Sequence, residues 1–370
     1  MSCSDGDVNH TILIMAGGTG GHVFPGLAVA DHMRTAGWRV VWLGTKGGME
    51  TTLAPRQGYD LEIISFSGLR GKNARTWLLL PLRLLFALWQ SARVIRRVRP
   101  DVVLGMGGYP AFPGGMMASL LDKPLLIHEQ NSIPGLANRI LAKVADKVLL
   151  GFPDSIRNGD KVMFSGNPVR SEITRVEVPE KRYGLRSGKL RLLVVGGSLG
   201  AQALNTIVPQ ALKYIPQKLR PLVTHQAGAR HLEALRKNYA EAEVEGDLVT
   251  FIHDMAATYA NCDLVICRAG ALTIAELSAA GIASILVPFP YAVDDHQTSN
   301  ARFLSDRKAA VLVPQNKLTP QGLADLLMGF SRNDLMEMAI KARGVAKPDA
   351  TSLVATACME MTKKTGGCAV

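Results

Sequence analysis

The sequence predicts an α/β protein with two Rossmann-like, doubly wound domains that face each other across a cleft. Apolar strand-like runs alternate with helical patterns, which is typical of parallel sheets covered by helices. The alternation stops in a charged stretch rich in proline and glycine at residues 167–191, and then restarts. Each half also opens with an apolar run that enters a glycine turn, TILIMAGGTGGH and LRLLVVGGSLGA. A length of 370 residues suits two domains.

Apolar runs in the first half predict strands, and longer periodic runs predict helices. The predicted strands are Thr11–Ala16, Trp38–Leu43, Leu61–Ile64, Val102–Leu104, Leu125–Ile127 and Lys147–Leu150. The predicted helices are Phe24–Ala36 and Trp77–Val98. This half is the expected first domain, residues 1–167.

The second half repeats the pattern and forms the expected second domain, residues 168–348. Its predicted strands are Leu192–Val195, Leu222–His225, Leu248–Ile252, Leu264–Ile266 and Ser284–Val287. A helix is predicted at Ala201–Tyr214, and a final helix at Thr351–Met361 follows Pro348. We expect the segment 349–365 to pack back onto the first domain.

Composition narrows the class of protein without deciding it. The net charge of +11 suits nucleic acid, an anionic lipid surface or a phosphorylated substrate, and also simple solubility. Five cysteines without a CxxC spacing argue against structural zinc and favour a reducing cytoplasm. The polar N-terminus lacks the pattern of a signal peptide. The longest apolar stretch, Trp77–Trp89, is too short and too interrupted to span a bilayer.

Three glycine clusters follow predicted strands: GGTGGH from Gly17, GMGGY from Gly105 and GGSLG from Gly196. Glycine lets the backbone approach a phosphate, and a following helix offers free N–H groups at its positive end. Tight turns without a ligand are the alternative interpretation. No cluster matches GxGxxG with its acidic partner, and none ends in Gly-Lys-Ser/Thr. Dinucleotide-dependent hydride transfer and P-loop phosphoryl transfer are therefore disfavoured.

The segment RAGALTIAE, which begins at Arg268, follows another strand and opens a helix. Ala271–Thr273 would lie at the helix start, where a pyrophosphate is favoured. Glu276, about one turn further, could accept two hydrogen bonds from a ribose diol. The alternative is a glutamate that only caps the helix.

Together these motifs closely resemble the MurG family of bacterial peptidoglycan N-acetylglucosaminyltransferases. The hallmarks in this sequence are GGTGGHVFPGLAVA, GLRGK, DVVLGMGGY, HEQN, GNPVR, VVGGSLGA, CRAGALTIAE and DDHQ. The resemblance implies a GT-B fold and an inverting reaction without metal or cofactor. The donor would be UDP-GlcNAc, the acceptor would be undecaprenyl-pyrophosphoryl-MurNAc-pentapeptide (lipid I), and the product would be lipid II. It also implies a peripheral enzyme on the cytoplasmic side of the inner membrane.

The resemblance assigns substrate contacts to residues of these motifs. Thr19, Gly20 and Gly21 would lie at the donor–acceptor junction, and Asn131 and Gln297 would contact GlcNAc. Arg170 and Ser198 would face the diphosphate, and Ile252 would meet uracil through its backbone. The segment expected to hold phosphate and ribose comprises Ala271, Leu272, Thr273, Ile274, Ala275 and Glu276. Leu199 and His253 depart from residues found in some members, which leaves the finer phosphate contacts open.

His22, at the junction of the first glycine loop and its helix, is the candidate catalytic base. Imidazole titrates near working pH and can take the proton of an acceptor hydroxyl. The alternative is a histidine that only hydrogen-bonds substrate or backbone, and His128 and Glu129 are weaker candidates for the base. Asp294–Asp295 is interpreted as positioning Gln297, so no metal site is predicted.

The helix predicted at Trp77–Val98 and the segment before it mix aromatic, aliphatic and basic residues, a composition that suits an anionic lipid interface. The alternative is an ordinary core-facing helix with a solvated basic side. The predicted membrane-facing residues are Lys72, Arg75, Trp77, Leu78, Leu82, Leu85 and Trp89.

Other functional classes remain as rivals. A nucleic-acid-binding protein would use the basic charge, but it would not need glycine loops at strand ends, so no nucleic-acid partner is predicted. A related transferase acting on another lipid, such as a diacylglycerol, is the closest alternative. The GMGGY and HEQN segments favour the peptidoglycan lipid by resemblance.

Overall fold

The computed structural model describes residues 10–66, 79–153, 155–156, 159–197 and 200–365. The chain forms two compact units, one of residues 1–170 with 348–370 and the other of residues 171–347. The boundary between the two units therefore follows Arg170, a few residues beyond the expected boundary at 167. The membrane-facing candidates Lys72, Arg75, Trp77 and Leu78, and the diphosphate candidate Ser198, lie outside the described residues.

The described part of the first unit contains one parallel sheet in the strand order β3-β2-β1-β4-β5-β6-β7. The strands are β1 (Thr11–Ala16), β2 (Arg39–Thr45), β3 (Asp60–Ile64), β4 (Val102–Gly107), β5 (Leu125–Glu129), β6 (Lys147–Leu150) and β7 (Val162–Phe164). The helices are α1 (Gly20–Thr35), α2 (Glu50–Arg56), α3 (Leu80–Val98), α4 (Ala111–Leu120) and α5 (Leu136–Val144). Strand β7, which has three residues and lies at the edge of the sheet, was not predicted from the sequence.

Both faces of this sheet are covered, as a doubly wound fold requires. Alternate residues of β1 enter two separate cores: Ile12 and Ile14 pack into one, and Leu13 and Met15 into the other. The last helix, α15 (Ala350–Thr365), packs against α1 and β4 and buries Val354 in the first of these cores. The final segment of the chain thus belongs to the first unit.

The second unit contains a parallel sheet in the order β10-β9-β8-β11-β12-β13. The strands are β8 (Arg191–Val195), β9 (Leu222–Gln226), β10 (Asp247–Val249), β11 (Leu264–Cys267), β12 (Ala283–Leu286) and β13 (Val311–Leu312). The helices are α6 (Ser171–Thr174), α7 (Pro179–Gly184), α8 (Gln202–Tyr214), α9 (Leu232–Ala242), α10 (Met255–Asn261), α11 (Ala271–Ala280), α12 (His296–Ser305), α13 (Pro320–Gly329) and α14 (Arg332–Gly344).

Two parallel α/β sheets, one in each unit, confirm the fold class predicted from the sequence. Element boundaries differ more than element types. Helix α1 begins at Gly20 rather than Phe24, because the backbone leaves its extended conformation directly after Thr19. Strand β10 ends at Val249, so the prediction of a strand through Ile252 was wrong and Ile252 lies in a loop. The short edge strand β13 was not predicted.

Candidate functional site

The glycine loops after β1 and β4 lie side by side, because these two strands are parallel neighbours. The Gly17 N–H donates to the Gly107 carbonyl oxygen at 3.3 Å. Gly108 has φ +81°, and a Cβ there would overlap the backbone carbonyl of Gly17. The two loops therefore fit together only with glycine at this position, which brings backbone rather than side chains to this edge of the sheet.

Glu50, a residue that the sequence analysis did not single out, anchors the first loop. Its fully buried carboxylate accepts from the Gly18 N–H at 3.0 Å and from the Thr45 N–H and hydroxyl at 2.9 and 3.2 Å. One side chain thus connects the end of β2 to the loop after β1. The signal in the sequence that could have identified Glu50 is its position at the start of α2, shortly after glycines that follow a strand.

Thr19, Gly20 and Gly21 form the start of α1, and His22 follows in its first turn. The half-buried His22 is hydrogen-bonded through Nδ1 to Gln130 Oε1 at 3.1 Å. A Cβ on Gly107 would lie 2.7 Å from His22 Nδ1, so the bare backbone of that loop makes room for the imidazole. The candidate base therefore lies at the carboxyl edge of the sheet, and its Nδ1 is hydrogen-bonded to a side chain rather than to backbone.

The other two candidates for the base, His128 and Glu129, are engaged in hydrogen bonds inside the first unit. His128 is fully buried and shares a hydrogen bond of 2.9 Å between Nε2 and the Gly166 carbonyl oxygen, and burial lowers its pKa to about 4. Glu129, also buried, accepts from the N–H groups of Asn131 and Gly135 and from the amide of Asn138. It organises the loop that carries Asn131, and these donors already engage both oxygens of its carboxylate.

In the second unit the strands β8 and β11 are parallel neighbours, so the loops that precede α8 and α11 lie next to each other. Gly200 has φ +78°, and a Cβ there would overlap the Ala227 carbonyl. That carbonyl accepts from the Asn205 amide at 3.0 Å, and the Gln226 amide donates to the Gly197 carbonyl at 3.2 Å. Side chains from α8 and β9 therefore hold the backbone in and beside this glycine loop.

The residues Ala271 to Glu276 form the first turns of α11, as predicted. Ala271 and Ile274 are buried, and Leu272, Thr273 and Ala275 are partly exposed. Glu276 is only 7% exposed and its carboxylate accepts from the Tyr259 hydroxyl at 3.4 Å. It is the sixth residue of the helix, which is too far along to cap the N-terminus. The capping alternative therefore fails on geometry.

Gln297 lies in the first turn of α12, and its Oε1 accepts from the Phe289 N–H at 2.9 Å. Asp294 and Asp295, directly before this helix, both have φ +51°. Two consecutive non-glycine residues in the left-handed region are strained, and such strain clusters at functional sites. Asp295 accepts from the Thr298 hydroxyl at 2.7 Å, so the pair shapes the start of the helix that carries Gln297.

Arg170, the candidate for the diphosphate contact, lies in the first unit. Ile252, the candidate for the uracil contact, lies in the second unit. The guanidinium of Arg170 is 5.5 Å from the centre of the Phe24 ring, in the first turns of α1. Ile252 is half-buried in the loop before α10 and lines a groove of about 950 Å³ in the second unit. Among the described candidates, the first unit thus carries Thr19 to His22, Asn131 and Arg170, and the second carries Ile252, Ala271 to Glu276 and Gln297.

Helix α3 buries one side and exposes an apolar surface on the other. Its buried side contributes Ala87, Ser91 and Ile95 to the unit. The exposed fraction is 64% for Leu82, 62% for Leu85 and 56% for Trp89, and Phe86 is also exposed. An ordinary core-facing helix would bury these residues, so that alternative is wrong for the described part of the helix.

The buried histidines make stability depend on pH. Burial lowers the pKa of His128 to about 4 and that of His225 to about 3, whereas an unfolded histidine has a pKa of about 6.5. Between these values the unfolded chain binds more protons, so stability falls as pH falls below about 6.5. At pH 5 we expect each histidine to lower the free energy of unfolding of the unit that contains it by about 2 kcal/mol, measured by denaturant unfolding. The variant His225→Gln should reduce this pH dependence in the second unit, and equal unfolding at pH 7 and 5 would contradict the expectation.

Comparisons with known proteins extend this description. Residues 12–150 match the glycosyltransferase family 28 N-terminal domain, and residues 191–354 match the C-terminal domain of the same family. The chain is 74% identical over 354 residues to a protein of Nitrosospira multiformis, covering 96% of this chain and 99% of the relative. It is 62% identical to one of Nitrosomonas europaea, covering 95% and 99%. Both are named UDP-N-acetylglucosamine–N-acetylmuramyl-(pentapeptide) pyrophosphoryl-undecaprenol N-acetylglucosamine transferase.

Solved structures agree with this family. The crystal structure of Acinetobacter baumannii MurG matches with a TM-score of 0.82 and 40% identity, over 95% of this chain and 99% of that one. UDP-GlcNAc 2-epimerase from Neisseria meningitidis, bound to UDP-GlcNAc, matches with a TM-score of 0.66 at 11% identity, over 96% of this chain and 100% of that one. The second likeness shows a shared fold alone.

Proposed function

Because the chain belongs to glycosyltransferase family 28, we propose that it transfers GlcNAc from UDP-GlcNAc to the 4-hydroxyl of MurNAc in lipid I. The products are lipid II and UDP, and the configuration at the sugar carbon inverts. The names of relatives that align with nearly the whole chain support this reaction. The observation that carries the proposal is the set of glycine loops at the carboxyl ends of adjacent parallel strands, where a diphosphate and a reacting sugar can approach backbone.

In the proposed donor site, the N-terminal ends of α8 and α11 stabilise the diphosphate of UDP. Both helices follow a glycine loop after a strand, and within the described residues neither has a side-chain cap on its first N–H groups, which can donate to phosphate oxygens. Glu276 binds the ribose hydroxyls, and the backbone of Ile252 meets the uracil. Gln297 and Asn131 contact GlcNAc, each held by a backbone or carboxylate partner described above.

In the proposed mechanism His22 removes the proton of the acceptor hydroxyl as that oxygen attacks the sugar carbon of the donor. The bond between this carbon and the diphosphate oxygen breaks, and UDP leaves with the bonding electrons. The helix ends and Arg170 stabilise the negative charge that develops on the diphosphate. Thr19, Gly20 and Gly21 present backbone to the reacting groups next to His22.

The test of the reaction is a donor panel with a lipid I analogue, with disaccharide formation as the readout. UDP-GlcNAc should support turnover, in buffer containing EDTA as well as without it, and UDP-glucose and UDP-galactose should not. Turnover with either of the latter but not with UDP-GlcNAc would overturn the donor assignment. Replacing the acceptor by diacylglycerol tests the rival lipid acceptor, which we expect to remain unglycosylated.

We further propose that the exposed side of α3 contacts an anionic membrane surface, on the cytoplasmic side of the inner membrane. Leu82, Leu85, Phe86 and Trp89 form its apolar part, and the exposed Arg83, Arg93 and Arg96 add positive charge. Apolar residues can enter the interface while the arginines meet lipid phosphates. In the described ranges, no helix combines the length and the hydropathy that crossing a bilayer would take.

Helix α5 packs into the same core as α3. It follows α4, which contacts both α3 and α5. Leu136, Ile140 and Val144 are exposed at a spacing of four residues, and the basic Arg139 and Lys143 are exposed between them. Two helices that pack into one core and expose apolar and basic side chains favour a lipid surface over an isolated apolar spot.

We expect the triple variant Leu82→Gln, Leu85→Gln, Trp89→Gln to bind phosphatidylglycerol vesicles about 100–200-fold more weakly, since each of the three side chains loses about 1 kcal/mol of apolar burial. Vesicle co-sedimentation measures the loss. The control variant is Leu185→Gln with Leu219→Gln, two strongly exposed leucines of the second unit, and it should bind like the parent. Parental binding by the triple variant would refute the assignment of this face.

A further inference from the structure

Gln130 lies between His22 and the end of strand β4, and both of its amide atoms are engaged. It is 2% exposed and directly precedes Asn131. Its Nε2 donates to the Met106 carbonyl oxygen at 2.7 Å, and its Oε1 lies 3.1 Å from His22 Nδ1. The Asn167 amide donates to the Gln130 carbonyl at 3.0 Å, so the backbone of the residue is held as well.

These contacts determine the orientation of the amide. A carbonyl oxygen can only accept, so the group that faces Met106 must be the NH₂ of Gln130. The oxygen of the amide is therefore the atom that faces His22. An amide oxygen also only accepts, so His22 Nδ1 must carry a hydrogen when the ring is neutral. The lone pair of neutral His22 is then on Nε2.

We propose that Gln130 is a positioning residue that holds His22 as the Nδ1–H tautomer and so makes Nε2 the nitrogen that accepts the proton of the acceptor hydroxyl. This inference rests on the proposed role of His22 as the base. The same hydrogen bond fixes the plane of the imidazole above Gly107, where no side chain competes for the space. A base in a single tautomer and a single orientation is available in every turnover.

The tautomer is measured without substrate. In ¹⁵N-histidine-labelled protein at a pH where the ring is neutral, we expect His22 to show a protonated Nδ1 and an unprotonated Nε2. The resonance is identified by its loss in His22→Ala. His225 supplies the internal control: Asn205 Oδ1 faces its Nε2 at 3.1 Å while the Asn205 amide donates to Ala227, so His225 should be the opposite, Nε2–H tautomer. An Nε2–H tautomer at His22 would overturn the proposal.

The variant Gln130→Met removes the acceptor while keeping a side chain of similar length. We expect His22 to lose its single tautomer, kcat to fall about 10–100-fold and the KM for UDP-GlcNAc to stay within about twofold. The His225 signals should not change. A purely structural glutamine would instead lower the thermal unfolding midpoint without altering the His22 tautomer, and that result would contradict the proposal.

The variant Gln130→Glu restores an acceptor for the Nδ1 hydrogen and provides the rescue. It should return His22 to the Nδ1–H tautomer and recover part of the lost kcat.

The two proposals fail in distinguishable ways. Normal turnover by His22→Ala would remove the base, yet the tautomer of His22 could still be measured. The Nδ1–H tautomer in the parent, retained in Gln130→Met with kcat unchanged, would remove Gln130 from its positioning role and leave the base in place.

Discussion

Replacing His22 by alanine is expected to lower kcat by about 10²–10⁴-fold and to leave donor binding largely intact. The imidazole is the group proposed to accept the proton of the attacking hydroxyl, and without it that proton must pass to water. His22 is not among the proposed contacts with UDP, so the loss should not extend to the affinity for UDP. Steady-state kinetics with a lipid I analogue and calorimetric titration with UDP measure the two quantities separately.

His32 provides a matched control for this variant. It lies on the same helix α1 but in the last turn, and it is exposed. We expect His32→Ala to keep parental kcat and parental binding of UDP. A normal kcat in His22→Ala would remove His22 from the role of base. A loss of UDP binding equal to the loss of kcat would show that the residue acts on the donor instead.

Replacing Gly108 by alanine should be among the most destabilising single changes in the first unit. The added Cβ would overlap the backbone carbonyl of Gly17, and φ at this position is +81°. Neither partner is a flexible side chain that can move away, so the glycine loops after β1 and β4 must separate. We expect the free energy of unfolding of this unit to fall by about 3–5 kcal/mol, measured by denaturant unfolding.

Gly58→Ala isolates the contribution of the backbone conformation. Gly58 has φ +79° in the same unit, but a Cβ there would meet no atom within 4 Å. This variant should lower the free energy of unfolding by only about 1–2 kcal/mol, which is the cost of a left-handed conformation for a residue with a Cβ. Equal losses in the two variants would show that the loops accommodate the added Cβ at Gly108 without separating.

The sequence by itself determined most of the strands and the positions of the glycine loops. Buried parallel strands are continuous apolar runs, so Thr11–Ala16 and Lys147–Leu150 could be predicted to the residue. Glycines directly after such runs also predicted which segments end at the carboxyl edge of each sheet. Short edge strands were missed, since Val311–Leu312 has too few residues to form a pattern.

The partners of the candidate base could not be predicted in this way. His22 contacts Gln130, 108 positions along the chain, and Gln130 contacts Met106, 24 positions back. Glu50 reaches Gly18 across 32 positions. These pairs form because β1 lies between β2 and β4, with β5 next to β4, and no local pattern specifies that order. In the sequence, Gln130 is simply the residue that follows strand β5. Only the two hydrogen bonds of its side-chain amide reveal its role.

The exposed side of α3 shows the same division. Its amphipathic pattern was visible in the sequence, but apolar residues on a helix normally face a core, and both interpretations were open. Tertiary packing decided between them, because Ala87, Ser91 and Ile95 occupy the core side and leave Leu82, Leu85 and Trp89 outside. Local sequence thus determines which residues can form a strand, a turn or a helix face. Which faces meet, and which side chains share a hydrogen bond, depends on long-range packing that only the folded chain contains.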